Sequence, residues 1–164
     1  MTDYFTSHPH YLFVYGTLKQ PFGNHGVLQR HGARFISAAH TMDRFTLTES
    51  FPFVWRPLES APAAYREYLG QIVGELYKVS DAGLEACDRL EGHPNFYCRT
   101  PITVTFGPTP THVTAGIYLD PSSPPDVTRL QRPVNGKLEW GVKYNPVLEA
   151  SHPQFIRRNT KYGN

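Results

Sequence analysis

The stretch YLFVYGTL at residues 11–18 decides the fold. Its first five residues are apolar on both alternating faces, a pattern typical of a strand that is covered on both sides. Gly16 and Thr17 end this apolar run abruptly. The stretch therefore predicts a central strand over residues 11–15 that is followed by a sharp turn.

Further strands are predicted downstream of this stretch. Residues 102–106 and 113–119 alternate between apolar and polar side chains on either side of the turn-forming Gly107-Pro108, which predicts a hairpin. The run from Ile72 to Val79 predicts another strand. Residues 35–53 carry β-branched and aromatic residues broken by polar turns, so only weak or irregular strands are expected there.

Two helices are predicted between these strands. Ser80 and Asp81 are typical of a helix start, and the helix is expected to run from Asp81 to about Leu90, where Gly92 ends it. A shorter helix is expected to begin at Asn24 and to end near residue 31. Strands and helices together indicate an α+β protein.

The remaining segments read as loops of one domain. Residues 55–68 are rich in proline and small residues and indicate an exposed excursion, and the prolines of residues 120–133 enforce a loop. A chain of 164 residues is the usual size of one domain, so a single domain over residues 1–164 is expected, with its core at about 11–146.

The charge balance excludes several classes of function. Sixteen basic and fourteen acidic residues give a net charge of +2, which leaves no electrostatic footprint for nucleic acid or an anionic membrane. No targeting segment and no apolar run of about 20 residues are seen, so a soluble, cytoplasmic protein is expected. The two cysteines are too few for a disulfide framework, and the eight histidines lack metal-ligand spacing, so no metal is expected.

Two places are candidates for chemistry. A glycine directly after a buried strand, such as Gly16, lets the backbone approach a ligand, and successive N–H groups in such a turn can converge on an anion. The alternative is that Gly16 only makes a turn. The second place is Glu91, which extends the helical stripe of Leu84 and Cys87 toward the interior.

Both partial burial and the C-terminal end of the helix are expected to raise the pKa of Glu91 toward neutrality, where proton transfer is most efficient. The alternatives are an exposed glutamate at a frayed helix end or a carboxylate paired with Arg89 or Arg99.

Several motifs together carry a resemblance to a known family. YGTLK at residues 15–19, ESFP at residues 49–52, and LEG at residues 90–92 leading to Tyr97-Cys98-Arg99 resemble the γ-glutamylcyclotransferase-like superfamily. The GTLK version of the first motif and KYNP at residues 143–146 are most similar to the γ-glutamylamine cyclotransferases.

The resemblance implies a compact mixed β-barrel with a few short helices. It implies that the backbone N–H groups of Tyr15, Gly16, Thr17 and Leu18 bind the γ-glutamyl part of the substrate, and that Glu91 is the catalytic proton-transfer group. Phe51 and Tyr144 are candidates for apolar walls of the substrate pocket, or else plain core residues.

The implied activity is the internal cyclisation of small γ-glutamyl amines, such as γ-glutamyl-ε-lysine, with release of 5-oxoproline and a free amine and no cofactor. The alternatives are the same chemistry on γ-glutamyl amino acids or another γ-glutamylated metabolite, a non-catalytic relative that binds an acidic metabolite, and a hydrolase with Cys87 or Cys98 as nucleophile. The sequence leaves the oligomeric state open.

Three further residues close to these motifs are assigned no catalytic role. Tyr97 and Arg99 are expected to be structural, although Arg99 could instead brace Glu91. Lys19 is expected to be solvated, like most lysines that follow a turn.

Overall fold

The computed structural model describes residues 7–57, 61–122 and 125–141. Within these ranges there are seven strands: β1 (His10–Val14), β2 (Arg34–Leu47), β3 (Val54–Trp55), β4 (Gly70–Val79), β5 (Cys98–Phe106), β6 (Thr111–Leu119) and β7 (Lys137–Leu138). The helices are α1 (His25–Arg30), α2 (Asp81–Glu91) and two short 3₁₀ helices, Ala63–Tyr68 and Val127–Arg129.

Five of the strands close into a barrel. The strand order is β3-β2-β5-β6-β1-β4-β7, and a further pairing of β2 with β4 joins the two sides of this order into a ring. β1 pairs in parallel with β6 and antiparallel with β4, so the barrel is mixed, as expected. The two-residue strands β3 and β7 are appended to β2 and β4.

β1 is covered on both sides, which confirms the prediction made from its pattern. Phe13 points into the cluster that fills the barrel, and its neighbours Leu12 and Val14 point into a second cluster. The second cluster joins the outer face of β1 and β4 to the helices through Leu28 of α1 and Leu84 of α2. Because both faces are buried, β1 holds the residues that follow it in a fixed position.

β2 is irregular, as expected for residues 35–53, but it is longer and more continuous than the expected weak strands. It is a continuous strand of 14 residues, but its register with β4 shifts between Phe35 and Ser37 and again between His40 and Arg44. These irregularities bend the strand around the barrel and interrupt the alternation of polar and apolar residues. The pattern in the sequence therefore looks like several short pieces.

The expected helices and hairpin are confirmed. The Ser80 side chain accepts a hydrogen bond from the Gly83 amide at 3.0 Å, and Gly92 ends α2 in the left-handed conformation with φ of 66°. β5 and β6 pair antiparallel without interruption from Cys98 to Phe106. In the described ranges, no helix is long and apolar enough to cross a membrane.

Candidate active site

A cavity of about 240 Å³ opens where β1 ends. The loop after this strand, residues 15–18, forms one wall, and Glu91 at the end of α2 faces the same space. Phe51 and Pro52 contribute a third side. The two places that the sequence singled out, Gly16 and Glu91, are 75 residues apart along the chain and line a single cavity.

Hydrogen bonds to the first turn of α1 hold the loop of residues 15–18. The Asn24 amide donates to the Thr17 carbonyl at 3.1 Å, and the Asn24 side chain donates to the Thr17 hydroxyl at 2.9 Å. Nδ1 of the buried His25 lies 2.9 Å from the Leu18 carbonyl oxygen. The carbonyls of Thr17 and Leu18 are thus tied to α1, whereas the structure records no acceptor for the amides of these two residues among the described residues.

Gly16 is required for close packing. A Cβ atom at this position would lie 2.9 Å from Cγ of Pro52, so the loop of residues 15–18 and the Phe51-Pro52 segment meet at contact distance. The Tyr97 hydroxyl donates to the Pro52 carbonyl at 2.7 Å and fixes that segment from the other side. Any side chain at position 16 would therefore push the two walls of the cavity apart.

Glu91 is a half-buried carboxylate. Burial raises its pKa from 4.5 to about 7. Among the described residues, the structure records no hydrogen bond and no ion pair to its side chain. The nearby charge of Glu91 also contributes, after burial itself, to the raised pKa of the Tyr15 hydroxyl. A carboxyl group that titrates near neutrality and lacks a partner is free to exchange a proton with a bound molecule.

Arg99 does not brace Glu91. Its guanidinium donates to both carboxylate oxygens of Asp88, at 2.8 and 3.1 Å, and the Tyr118 hydroxyl donates to the same carboxylate at 2.7 Å. The pair is half-buried and connects α2 to β5. Since the guanidinium binds Asp88, the alternative of an Arg99–Glu91 pair is wrong. Tyr97 makes the structural contact with Pro52 that was described above.

Lys19 is buried, with 6% of its surface exposed, so the expectation that it is solvated is wrong. Its ammonium group donates to the Trp140 carbonyl at 2.8 Å, and burial lowers its pKa. The Trp140 indole donates in turn to the Ser50 carbonyl at 2.8 Å. The partner of Lys19 is 121 positions away in sequence, so no local pattern could have indicated it.

The cavity contains most of the predicted site residues. Tyr15, Gly16, Thr17, Leu18, Phe51 and Glu91 all line it, and Tyr144 lies outside the described residues. Eight further lining residues carried no substrate-binding prediction: Phe13, Val14, Asn24, Pro52, Leu90, Phe96, Tyr97 and Tyr118. The sequence pattern at Asn24 indicates only a helix start. The pattern of residues 90–97 does not indicate which side chains turn toward the cavity.

Cys87 is poorly suited to act as a nucleophile. Burial raises the pKa of the Cys87 thiol to about 12, which disfavours the thiolate that a nucleophile needs. Within residues 7–57, 61–122 and 125–141, no group of three or more His, Cys, Asp or Glu side chains could hold a metal ion.

Comparison with known proteins gives consistent matches. The model of the family described as gamma-glutamyl cyclotransferase, AIG2-like, matches residues 12–140. A putative gamma-glutamylcyclotransferase of Methanocaldococcus jannaschii is 30% identical over 114 residues, which cover 69% of this chain and 86% of the relative.

A gamma-glutamylaminecyclotransferase of Homo sapiens is 33% identical over 149 residues, with 82% of this chain and 95% of the relative covered. Among solved structures, the crystal structure of an AIG2-like protein from Mus musculus is similar with a TM-score of 0.60 and 26% identity. That similarity covers 76% of this chain and 85% of the mouse chain.

Proposed function

Because this chain belongs to the gamma-glutamyl cyclotransferase, AIG2-like family and so has γ-glutamyl cyclotransferase activity, we propose that its substrates are γ-glutamyl amines such as γ-glutamyl-ε-lysine. The products are 5-oxoproline and the free amine. One observation carries the proposal: a half-buried carboxylate that has no recorded partner among the described residues, and whose pKa is raised to about 7, shares a small cavity with the loop that follows β1.

The substrate supplies its own nucleophile in this reaction. The α-amino nitrogen attacks the γ-carbonyl carbon and closes a five-membered ring, so no covalent bond to the enzyme forms. Ionised Glu91 takes the proton that the attacking amine loses. The C–N bond of the amide then breaks, and protonated Glu91 returns that proton to the departing nitrogen, so protons and electrons balance.

The loop of residues 15–18 has the complementary role. The tetrahedral intermediate carries negative charge on the former carbonyl oxygen, and prealigned amide donors stabilise such a charge by several kcal/mol. The amides of Thr17 and Leu18 are suited to this because their own carbonyls are already held by Asn24 and His25. Phe51 supplies an apolar wall beside them.

A purely binding relative is less well supported. A half-buried carboxylate without a partner costs stability, and a protein that only binds an acidic metabolite gains nothing from it because the two negative charges repel. Two free cysteines, Cys87 and Cys98, agree with action in a reducing compartment, and we propose the cytoplasm.

The test is product analysis with purified protein. γ-Glutamyl-ε-lysine is incubated with the wild type and with Glu91→Gln, and 5-oxoproline and lysine are quantified by mass spectrometry. We expect the wild type to form both in equal amounts, and the variant to lose at least about 100-fold in kcat, as is typical for removal of a general base. Glu67→Gln, an exposed glutamate on the 3₁₀ helix Ala63–Tyr68, is the matched control and should keep full activity.

A panel of other amides separates the remaining alternatives. γ-Glutamyl-alanine and γ-glutamylcysteine are offered under the same conditions. Preference for either over γ-glutamyl-ε-lysine would replace the amine substrates by amino acid substrates while keeping the chemistry. Full activity of Glu91→Gln would remove Glu91 from the mechanism.

A further inference from the structure

A second cavity lies beside the candidate active site. It has a volume of about 420 Å³, and Phe96 lines both cavities. We call it the amine groove and define it by Phe53, Asn95, Phe96, Asp120 and Arg129. Because Phe96 borders both cavities, the groove is adjacent to the space in which a reacting carbonyl would lie beside Glu91.

The wall that the cavities share is aromatic. The Phe53 and Phe96 rings are 5.7 Å apart, and the Phe51 ring lies 5.0 Å from Phe53. Phe96 remains 55% exposed, which is unusual for a phenylalanine in an aromatic cluster. An exposed apolar surface next to a reaction site is suited to a methylene chain.

Beyond the aromatic wall, the groove carries a fixed negative charge. Asp120 directly follows β6, and its Oδ1 atom accepts hydrogen bonds from the Ser122 amide at 2.9 Å and from the Ser122 hydroxyl. No partner of its second carboxylate oxygen is recorded in the described segments. After burial and the charges of Tyr15 and Glu91, Asp120 adds to the raised pKa of Tyr97, so its charge is felt at the active-site cavity.

A positive charge lies on the same groove. Arg129 is the last residue of the 3₁₀ helix Val127–Arg129. Two hydrogen bonds fix the Arg129 backbone: the amide donates to the Asp126 carbonyl at 3.0 Å, and the carbonyl accepts from the Glu49 amide at 2.9 Å. Asp126 also lines the groove, but its Oδ1 atom caps the same helix by accepting from the amide and hydroxyl of Thr128.

We propose that the amine groove is the subsite for the leaving amine, and that Asp120 and Arg129 select amines that carry an ammonium and a carboxylate group at the far end of a methylene chain. The inference rests on the proposed function. The lysine side of γ-glutamyl-ε-lysine has this form, with a four-carbon stem that ends in both charges. The stem lies along Phe96, the ammonium group binds Asp120 and the carboxylate binds Arg129.

Four matched amides test the subsite. The γ-glutamyl amides of lysine, 1,5-diaminopentane, 6-aminohexanoate and pentylamine present at the far end both charges, the ammonium only, the carboxylate only, and neither. kcat/KM is measured for each amide with the wild type, Asp120→Asn and Arg129→Gln. Asparagine keeps an oxygen for Ser122, so the turn after β6 is retained, and thermal melting verifies the fold.

We expect Asp120→Asn to lower kcat/KM about tenfold for the two amides with an ammonium group, because a charge-assisted hydrogen bond is lost. Its effect on the pentylamide should stay within about twofold. Arg129→Gln should lower kcat/KM about three- to fivefold for the two amides with a carboxylate, since an exposed pair contributes less. The exposed residues Asp43 and Arg66 provide the charge-matched controls Asp43→Asn and Arg66→Gln, which should change none of the four values.

The results distinguish the subsite from the reaction. Turnover of all four amides with no charge-dependent effect of Asp120→Asn, or with an equal loss for all four, overturns the subsite and leaves the proposed function intact. Failure of the wild type to form 5-oxoproline from any γ-glutamyl amide overturns both.

Discussion

Glu91 illustrates how a single side chain is tuned by its place at the end of a helix. The stripe that buries Leu84 and Cys87 continues to Glu91, and the carboxylate is thereby drawn partly out of water. Burial disfavours the charged form, which raises the pKa of Glu91 to about 7. The same environment that suits proton transfer at neutral pH therefore works against stability.

The raised pKa of Glu91 predicts a pH-dependent gain in stability for Glu91→Gln. Because the pKa in the folded protein is above its unfolded value near 4.5, the wild-type free energy of unfolding should decrease as the pH rises from about 4.5 to about 7. The full difference corresponds to up to about 3 kcal/mol. Urea unfolding at pH 4 and pH 8 should show equal stability of the two proteins at pH 4 and a more stable variant at pH 8.

A gain in stability that is the same at both pH values would mean that Glu91 is not buried as described. Glu67→Gln is the control, since that exposed glutamate should add no difference between the two conditions.

At the residue scale, the sequence predicted those features that depend on local spacing. Glu91 was found because Cys87 and Leu84 lie one and two turns before it, respectively, on the same helix face. The partner of Lys19 was not found because Trp140 lies 121 positions away, and that of Arg99 because Asp88 reaches it only once α2 packs against β5. The roles of Tyr15, Gly16, Thr17, Leu18 and Phe51 as substrate-binding residues stay predictions.

Among the elements, α2 is held against the barrel by polar contacts of Asp88. Asp88 faces the strands and binds Arg99 of β5 and Tyr118 of β6. Burial alone would raise the pKa of Asp88, but the hydrogen bonds from Arg99 and Tyr118 outweigh it and lower this pKa. Since Glu91 lies one turn further along α2, this contact also fixes the position of its carboxyl group.

We therefore predict that Asp88→Asn lowers the free energy of unfolding by about 1–2 kcal/mol at pH 7, because Arg99 loses its charged partner while remaining half-buried. The pKa of Asp88 is lower in the folded than in the unfolded protein, so its contribution is present above pH 3.8 and is lost as the pH falls below that value. Denaturant unfolding at pH 7 and at pH 3 measures both effects.

Glu85→Gln is the control on the same helix. Glu85 pairs with Arg89 at 2.9 Å, but both side chains are largely exposed, so the change should cost less than about 0.5 kcal/mol. Equal costs for the two variants would contradict a special role of the Asp88 contact.

The elements also differ in how well the sequence predicted them. The β5–β6 hairpin and α2 were predicted closely because alternation, the Ser80 cap and Gly92 are local signals. β2 was underestimated, since the bulges that bend it also break its alternation. The two-residue strands β3 and β7 were missed, because they exist only through pairing with β2 and β4.

For the whole molecule, closure of the barrel depends on the pairing of β2 with β4. Thr41 lies at this junction, where the register of the two strands shifts, and it is fully buried. Its hydroxyl donates to the Asp43 carbonyl at 2.7 Å and accepts from the Ile72 amide at 2.9 Å. One side chain thus replaces the backbone partner that the bulge removes.

Replacement of Thr41 by valine should lower the free energy of unfolding by about 2 kcal/mol, because the buried Ile72 amide is left without an acceptor at nearly unchanged volume. Hydrogen exchange of the Ile72 amide should accelerate in the same variant. Thr103→Val on the exposed face of β5 is the control and should be neutral. Wild-type stability of Thr41→Val would mean that the barrel closes without this bond.

The Trp140 contacts described above have a consequence for biosynthesis. Lys19 and Ser50 each lie next to a residue that lines the cavity, and both bind Trp140, so two segments that border the cavity are held by a residue that leaves the ribosome much later. A nascent chain cannot form these two contacts until Trp140 has been synthesised, although its early strands have by then already left the ribosome. We therefore expect a chain that ends before Trp140 to form only part of the barrel and to lack activity.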